Sequence, residues 1–216
     1  MSSQASSSKS SKIDRKTKVL RAARKLFFKK GYRATTIDKV AKQAGYSKRT
    51  VYLDFKNKDE LFITVCGEGL KVLLKDLKKI PLHGIAMEES IIRFLDVYIQ
   101  FSQKHPELFR MIFSEATPES IANCSEELRA EIEELEKACL GTVVRWAKKA
   151  IKEKQIPPVD PWEIAGMTVG SATGIILLSM GGSQTVFTQK DLESLVKQTI
   201  WMIWTGLHMA QTRTDK

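Results

Sequence analysis

The sequence predicts an all-α protein in which a small N-terminal helix-turn-helix DNA-binding head precedes a larger helical body. Apolar residues recur at the three- and four-residue spacing of helices along almost the whole chain of 216 residues. No segment shows the alternation of strands or the turn dipeptides of hairpins, and no internal repeat is visible. The predicted parts are a disordered basic tail at 1–12, the head at 13–60 and the body at 61–216.

The net charge of +10 is concentrated at the N-terminal end of the chain. Residues 1–60 contain 17 Lys and Arg against 5 Asp and Glu, whereas residues 61–216 contain 18 against 20. A basic excess confined to one region indicates binding to the phosphates of a nucleic acid. A solvated lysine-rich surface is the alternative, and it is less favoured because the same region carries the helix pattern described next.

The tail and the first helix differ in composition. Residues 1–12 are rich in Ser, Lys and Gln and lack apolar periodicity, which predicts disorder. A first helix is expected from about Ile13 to Lys30, and Gly31 is a natural stop after it. Its buried face is the apolar stripe of Val19, Leu20, Ala23, Leu26 and Phe27.

A second, shorter helix is expected to start at Thr35 or Thr36. Thr35 and Asp38 have the spacing of a capping box, although Asp is a weaker partner than Glu in this motif. Gly45 can adopt the left-handed conformation that ends the helix and turns the chain. The buried face of this helix consists of Ile37, Val40 and Ala41.

The third helix is expected to run from Lys48 to about Asp54, with Ser47 as its cap. Asn57 and Glu60 form a better capping box, which opens a long fourth helix. Two short helices joined by a glycine turn form a helix-turn-helix, in which the second short helix lies in the major groove of DNA. The caps, the turn and the apolar spacing all agree on this local structure.

The body is expected to be helical as well, at about 85–104, 106–115, 125–154, 161–180 and 190–211. The stretch from 164 to 189 contains no charged residue and is long enough to span a bilayer. Its many Ser, Thr and Gly residues favour a buried helix followed by a glycine loop, so we expect no membrane partner.

Residues suited to catalysis or metal binding are scattered along the chain. Cys66, Cys124 and Cys139 are odd in number and lack C-x-x-C spacing, which is typical of free thiols in a reducing cytoplasm. The three histidines lie far apart, and the sequence contains no nucleophile elbow, metalloprotease motif or phosphate-binding glycine loop before a helix. We therefore expect no enzyme activity, no cofactor and no metal site.

The order of residues in the head resembles the tetracycline-repressor (TetR) family of bacterial transcriptional regulators over about 45 residues. The matching pieces are Ala22-Ala23, Leu26-Phe27, Gly31-Tyr32, Thr35-Thr36-Ile37, Val40-Ala41, Ala44-Gly45-Tyr46-Ser47, Val51-Tyr52, Phe55 and Lys58-Asp59-Glu60-Leu61. The resemblance implies that the body at 61–216 dimerises and encloses a pocket for a small-molecule effector. Effector binding would move the fourth helix and release the homodimer from its double-stranded DNA operator. Most members of the family act as repressors.

The predicted DNA contacts are Thr35, Thr36, Tyr46, Ser47, Lys48, Arg49, Thr50, Tyr52, Lys56 and Lys58. Those that open the third helix can reach base edges, and Lys48 and Arg49 suit the O6 and N7 atoms of guanine. Which of these two side chains reads a base stays open. The two threonines at the start of the second helix can hold a phosphate. By the resemblance, Tyr52 packs at the DNA backbone and Lys58 binds a phosphate.

Two features beside this surface leave alternatives open. Asp54 departs from the family pattern, in which His or another neutral or basic residue is frequent, and we expect its carboxylate to point sideways, toward a lysine. A basic run close to the N-terminus is either an arm that binds phosphates or the minor groove, or a solvated tail. This run consists of Lys9, Lys12, Arg15, Lys16 and Lys18.

The body residues are assigned from the resemblance and from side-chain type. The predicted dimer interface, on the last two helices, consists of Gly166, Gly170, Gly174, Leu195, Ile200, Ile203, Trp204 and Leu207. The predicted effector pocket consists of Phe94, Tyr98, Phe101, Phe109, Met111, Phe113, Trp146 and Met167. Ordinary core packing is the alternative for each of these side chains.

The apolar faces of these helices contain few ionisable residues, which indicates a hydrophobic effector such as an acyl chain, an aromatic compound or a lipophilic drug. A different function is compatible with the same sequence. A structural or adaptor protein of this fold would bind DNA and recruit a protein partner without sensing a ligand.

Overall fold

A computed structural model of the protein describes residues 2–81, 87–181 and 192–214. The regular elements among these residues are all helices, with no strand, which confirms the all-α prediction. The α-helices are α1 Ser2–Ala34, α2 Ile37–Ala44, α3 Lys48–Tyr52, α4 Lys58–Leu77, α5 Met87–Lys104, α6 Pro106–Arg110, α7 Pro118–Ala122, α8 Glu126–Lys152, α9 Pro161–Met180 and α10 Leu192–Thr214. A π-helical turn, Met111–Glu115, follows α6.

The chain divides into two compact units, named here the head unit and the body unit. The head unit comprises residues 1–69 and 114–133, and the body unit comprises 70–113 and 134–216. The head unit therefore extends beyond the predicted boundary at residue 60 and takes in α7 with the first turns of α8. The physical reason is a set of hydrogen bonds between the start of α4 and the segment that joins α7 to α8.

The first helix is longer than the sequence predicts. It begins at Ser2, so that residues 2–12, which were expected to be disordered, are helical in the structure. None of these residues is Gly or Pro, and extending an existing helix costs less than starting one, so a helix nucleated at the apolar stripe can continue backwards. The break at Gly31 is confirmed, because its φ of 72° lies in the left-handed region and kinks α1 before its last turn.

The start of α2 corrects one predicted cap. Thr36 is the N-cap, and its hydroxyl oxygen accepts a hydrogen bond of 3.3 Å from the N–H three residues later. The predicted box between Thr35 and Asp38 does not form. Thr35 is fully buried, and its hydroxyl donates to the Gly31 carbonyl at 2.8 Å, where it closes the kink at the end of α1.

The turn between α2 and α3 forms as the sequence predicts. Gly45 has a φ of 76° and ends α2 in the left-handed conformation. Ser47 caps α3, because its hydroxyl oxygen accepts a 3.1 Å hydrogen bond from the Thr50 N–H. The third helix ends at Tyr52, two residues before the predicted end at Asp54.

A buried apolar core holds the three helices of the head together. Its members are at most 3% exposed and include Val19, Ala23, Phe27, Val40, Ala41, Val51, Phe55 and Phe62. Phe27 packs edge-on against Phe62, with ring centroids 5.2 Å apart. Because Val51 near the end of α3 and Phe55 just beyond it are both buried, the helix has one buried face and leaves the opposite face to solvent.

The start of α4 contains half of the predicted capping box. The Asn57 side-chain oxygen accepts the Glu60 N–H at 2.7 Å. The Glu60 carboxylate accepts the N–H of Lys56, one residue earlier than a capping box requires, and also accepts the Ser125 N–H at 3.3 Å. Burial raises the pKa of Glu60, but these donors outweigh it and leave the pKa below its ordinary value.

The helices of the body unit lie close to the predicted ranges. The predicted helix 161–180 is α9, and the predicted helix at 106–115 is divided between α6 and the π-helical turn. The predicted starts at residues 85 and 190 lie outside the described residues. In the head unit, α7 was not predicted as a separate helix; it forms because Thr117 and Ser120 cap it reciprocally, at 3.2 and 3.0 Å.

Candidate DNA-binding site

The start of α3 points away from the core of the head unit. Ser47, Lys48 and Arg49 are exposed and Thr50 is half-buried, whereas Val51 is fully buried. The buried residue fixes the rotation of the helix, so the residues before it project outward together. This is the arrangement that a recognition helix needs in order to present its N-terminal side chains to base edges.

The two basic residues of α3 have different surroundings. The Lys48 ammonium lies 2.8 Å from the Asp38 carboxylate of α2, and this contact raises the pKa of Lys48. Within the part of the chain that the structure describes, no carboxylate pairs with Arg49. The Arg49 guanidinium, which can donate two parallel hydrogen bonds, is therefore the better placed of the two for a bidentate contact with guanine.

The predicted phosphate contacts at the start of α2 divide into one accessible and one buried residue. Thr36 is exposed, and its hydroxyl keeps a proton to donate while its oxygen caps the helix. Thr35 is fully buried and donates its hydroxyl proton to Gly31. The Thr35 hydroxyl is therefore not available to a phosphate in this structure, because the cap lies one residue later than the sequence pattern suggested.

The remaining predicted contacts differ in how freely they reach solvent. Tyr52 is 47% exposed, Lys56 is exposed and Tyr46 is half-buried. Lys58 is half-buried and turned inward: its ammonium donates to the Tyr32 carbonyl at 3.1 Å and lies 3.9 Å from the centre of the Tyr32 ring. A phosphate contact from Lys58 would have to replace or share these interactions.

The sequence predicted that the Asp54 carboxylate points toward a lysine, but the structure pairs it with an arginine. Arg15 Nε and Nη2 donate to its two carboxylate oxygens at 2.7 and 2.8 Å. The Asp54 side chain is 1% exposed, and the guanidinium holds the pKa of the carboxyl below its ordinary value despite burial. Sequence reasoning missed Arg15 as a partner because the two residues lie 39 positions apart.

The family of the chain follows from two comparisons. The sequence model of bacterial regulatory proteins of the tetR family matches residues 19–65. The uncharacterized HTH-type transcriptional regulator YhgD of Bacillus subtilis (strain 168) is 32% identical over 149 residues, which cover 69% of this chain and 75% of that protein. The chain belongs to the tetR family of bacterial regulatory proteins. It is therefore a DNA-binding transcriptional regulator, as the residues of α2 and α3 indicate.

More distant similar proteins match nearly the whole chain. The HTH-type transcriptional activator FasR of Mycolicibacterium smegmatis is 22% identical over 205 residues, covering 93% of this chain and 87% of FasR. FadR from Bacillus subtilis, solved in complex with stearoyl-CoA, has a TM-score of 0.68 at 20% identity and covers 89% of this chain and 99% of its own. The fatty acid degradation regulator FadR from Bacillus halodurans has a TM-score of 0.67 at 19% identity, covering 88% and 98%. At these identities the solved structures establish a shared fold.

The predicted pocket residues of this tetR-family member form a packed aromatic cluster in the body unit. Phe94 and Tyr98 stack at 5.8 Å, Phe109 and Phe113 lie 4.7 Å apart, and Phe94 meets Trp146 edge-on at 6.0 Å. Trp146 Nε1 is buried without a hydrogen-bond partner, as is the Thr168 hydroxyl on α9. The members Phe94, Tyr98, Phe101, Phe109, Met111 and Trp146 are each at most 4% exposed.

Two cavities bounded by described residues lie in the body unit. A cavity of about 520 Å³ lies between α5 and α10 and is lined by Ile91, Leu95, Ile200, Trp201 and Trp204, among others. Phe101 borders another cavity, of about 380 Å³. Met167 differs from the rest of the predicted pocket, because it is 45% exposed on the outer face of α9 and cannot line an interior pocket of the single chain.

The predicted dimer residues also divide into two groups. Gly166, Gly170 and Gly174 lie on the exposed face of α9, and nothing lies within 4 Å of a Cβ added at any of them. Leu195, Ile203 and Leu207 are half-buried on α10. Ile200 and Trp204, at 0% and 6% exposure, are buried within their own chain and offer little surface to a partner.

One face of α9 is apolar yet uncovered in the single chain. By length and composition this helix could cross a bilayer, and only 33% of its most apolar stretch is buried. The sequence had suggested a buried helix, but burial is confined to one face, formed by Ile164, Ala165, Thr168, Ala172 and Ile176. The neighbouring helix α10 also exposes large apolar side chains, with Trp201 at 65% and Met202 at 60%.

The thiols show no sign of reactivity. Cys66, Cys124 and Cys139 are all buried and unpaired. Burial raises the pKa of each thiol, to about 11 for Cys124 and about 12 for Cys139, so the nucleophilic thiolate is disfavoured at neutral pH. Among the described residues, no group of His, Cys, Asp and Glu is arranged to hold a metal ion.

Proposed function

We propose that this tetR-family protein is a cytoplasmic repressor that binds a palindromic operator as a homodimer and leaves it when a hydrophobic effector binds the body. The observation that carries the proposal is the outward-facing start of α3 on the basic head. Ser47, Lys48 and Arg49 are exposed while Val51 anchors the helix. This arrangement has the chemistry of major-groove recognition, and the named relatives are regulators and not enzymes.

Within α3 the two basic residues take different parts in the proposed recognition. Arg49 reads guanine through two parallel donors, because no carboxylate among the described residues engages it. Lys48 is held 2.8 Å from Asp38 and contributes positive charge near a phosphate. Tyr46, Tyr52, Thr36 and Lys56 then fix the head on the DNA backbone.

The proposed homodimer uses the uncovered face of α9 together with α10. The row Gly166, Gly170 and Gly174 has open space beside each Cα, so a second helix can approach the backbone closely. Burying Trp201 and Met202, at 65% and 60% exposure, removes apolar surface from water. A two-fold dimer also presents two α3 helices to the two halves of a palindrome.

The proposed effector is a hydrophobic molecule that carries a hydrogen-bond acceptor or donor. The aromatic cluster supplies the apolar surroundings, and Trp146 Nε1 and the Thr168 hydroxyl are buried polar groups that still lack partners. The complex of FadR from Bacillus subtilis with stearoyl-CoA supports a long acyl chain as the class of effector. Because Phe109 packs 4.7 Å from Phe113 and Phe94 packs 6.0 Å from Trp146, an effector that binds among these rings would part them, which would couple the effector to a change of conformation.

The test is a footprint of the purified full chain on the DNA upstream of its own gene, with and without stearoyl-CoA. We expect two protected half-sites about 10–10.5 base pairs apart, or a multiple of that spacing, and loss of protection with the acyl-CoA. A single unpaired footprint would contradict the dimer on a palindrome. Protection that resists acyl-CoAs of every chain length would favour the adaptor function. A transcription assay separates repression from activation, since the relative FasR is a transcriptional activator.

A further inference from the structure

The face of α1 that packs in the core of the head continues toward the N-terminus as a cationic surface. Val19 and Ala23 lie on the buried face and are fully buried. Arg15 and Lys16 precede Val19 by four and three residues and Lys12 by seven, so helical geometry places all three side chains on that same face. The change from apolar to basic occurs where the helix leaves the core.

An ion pair fixes this part of α1 beside the end of the recognition helix. Arg15 Nε and Nη2 donate to the Asp54 carboxylate at 2.7 and 2.8 Å, and Asp54 lies two residues beyond the end of α3. The planar guanidinium and carboxylate meet through two bonds, which restricts orientation as well as distance. The Asp54 side chain is 1% exposed and that of Arg15 is 23% exposed, so the pair is partly shielded from the solvent that weakens surface pairs.

Two neighbouring lysines are left with charge that this pair does not neutralise. The Lys16 ammonium lies 5.5 Å from the centre of the Phe55 ring, and Phe55 is buried next to Asp54. Lys12 lies one helical turn before Lys16, and both lysines are exposed. With Arg15 they place three positive charges around one carboxylate, so the surface beside the end of α3 carries a net positive charge.

We propose that Lys12 and Lys16 form a second phosphate-binding element of the head, held beside the recognition helix by the pair between Arg15 and Asp54. The proposal rests on the proposed operator binding. An ordered helix is about 10–12 Å across and the minor groove about 6 Å wide, so this element binds backbone phosphates and does not enter that groove. A tail that is merely solvated would have no need of the ion pair that holds this part of α1 in place.

The first test compares two double variants in operator binding at several salt concentrations. Lys12→Ala with Lys16→Ala removes the proposed contacts. Lys148→Ala with Lys152→Ala is the matched control, because these exposed lysines of α8 have the same spacing and the same charge. The slope of log K against log salt is negative, and each lost phosphate contact reduces its magnitude by about 0.9, so four lost contacts in a dimer reduce it by roughly 3.6.

The outcomes separate this proposal from the proposed function. Specific binding by the unaltered protein, with a slope of smaller magnitude only in the Lys12 and Lys16 variant, supports the second element. Equal slopes for the two double variants would overturn it while leaving operator binding intact. A protein that does not prefer its operator at all would instead overturn the proposed function.

The second test examines the positioning role of Asp54. Removing a carboxylate near DNA should tighten binding if only charge matters, whereas Asp54→Asn should weaken operator binding if the ion pair positions the helix. We expect weaker binding, and we expect the Lys12 and Lys16 substitutions to have less effect in the Asp54→Asn background than in the unaltered protein. Tighter binding, or strictly additive losses in a protein that circular dichroism shows to be folded, would overturn the positioning role.

Discussion

Asn123 joins the segment between α7 and α8 to the first turn of α4, because its side-chain N–H₂ donates to the Asp59 carboxylate at 2.9 Å across 64 positions of sequence. Its backbone carbonyl accepts a second 2.9 Å hydrogen bond from the Asn57 side chain. The Tyr32 hydroxyl donates to the other oxygen of Asp59. Within the head unit, the start of α4 is thus held from two sides by side chains of distant parts of the chain.

Replacing Asn123 should loosen the start of α4. Asn123→Ala removes the bond to Asp59 but keeps the bond between the Asn57 side chain and the backbone carbonyl, so we expect a loss of about 1 kcal/mol in the free energy of unfolding. For a chain of this size that is a fall of roughly 2–4 °C in Tm, measured by thermal denaturation. Asn123→Asp should cost more at neutral pH, since it places two carboxylates together, and should recover as the pH falls. Unchanged melting of both variants would show that the contact contributes nothing.

The contrast between caps and distant pairs explains how much of the head could be predicted. Gly45 and Ser47 act over three or four residues, so the sequence alone shows what they do. Asn123 and Arg15 act across 64 and 39 positions, and an isolated Asn or Arg has no pattern that names its partner. Thr35 was misassigned for a related reason, because two adjacent threonines offer two possible caps.

The ion pair between Arg15 and Asp54 should make stability depend on pH in the acid range. The Arg15 guanidinium holds the pKa of Asp54 below its ordinary value of about 3.9. A carboxyl with a lowered pKa in the folded state stabilises it fully above the unfolded pKa, and this stabilisation is lost as the pH falls through the folded pKa. We therefore expect the difference in unfolding free energy between the unaltered protein and Asp54→Asn to be constant near neutrality and to shrink below about pH 4. Denaturant titrations at a series of pH values measure this difference in unfolding free energy. A difference that does not change with pH would show that the ion pair is not its source.

Arg49 and Lys48 should contribute differently to DNA recognition. Arg49→Ala should relax the preference for one base pair of each half-site by about 1–3 kcal/mol, because a bidentate contact to guanine is lost. Lys48→Ala should weaken binding to all sequences about equally and lower the salt dependence. Competition binding with a set of single-base operator variants separates the two effects. The reverse pattern would assign the base contact to Lys48.

Thr168 offers a test of the unpartnered polar groups in the body unit. Its hydroxyl is buried without a partner, so Thr168→Val should raise the free energy of unfolding by about 1 kcal/mol. The control is Thr142→Val on α8, where the equally buried hydroxyl accepts a 3.2 Å bond from Arg145 and the same change should destabilise. If Thr168 contacts the effector, the stabilised variant should also bind stearoyl-CoA more weakly in calorimetry. Destabilisation by Thr168→Val would mean that its hydroxyl does have a partner.

Gly170 tests the proposed dimer face. A Cβ at this position meets nothing within 4 Å, so the single chain tolerates larger side chains, and replacing a helical glycine favours the helix by up to about 1 kcal/mol. Gly170→Arg should therefore leave helix content and melting of the monomer intact while abolishing the dimer in sedimentation experiments. Gly170→Ala is the matched control, because it removes the glycine but adds only a methyl group and no charge. A dimer that persists with the arginine would place the interface elsewhere.

The body illustrates why apolar positions are harder to assign than caps. Spacing identifies the apolar residues of α9 and α10, but it does not show whether an apolar face is covered by the same chain or by another. Ile200 and Trp204 are buried within the chain, whereas Gly170 and Met167 are exposed on α9. The difference depends on how the helices pack against one another, which no local pattern records.

The most direct test of operator recognition is the affinity of the purified protein for the DNA upstream of its gene, compared with a scrambled fragment, at two salt concentrations. A specific regulator should prefer the upstream DNA, and the preference should persist at the higher salt because base contacts depend less on counterions than phosphate contacts do. Equal affinity for both fragments, falling steeply with salt, would mean that the head binds only phosphates there and would contradict sequence-specific recognition of that DNA by α3.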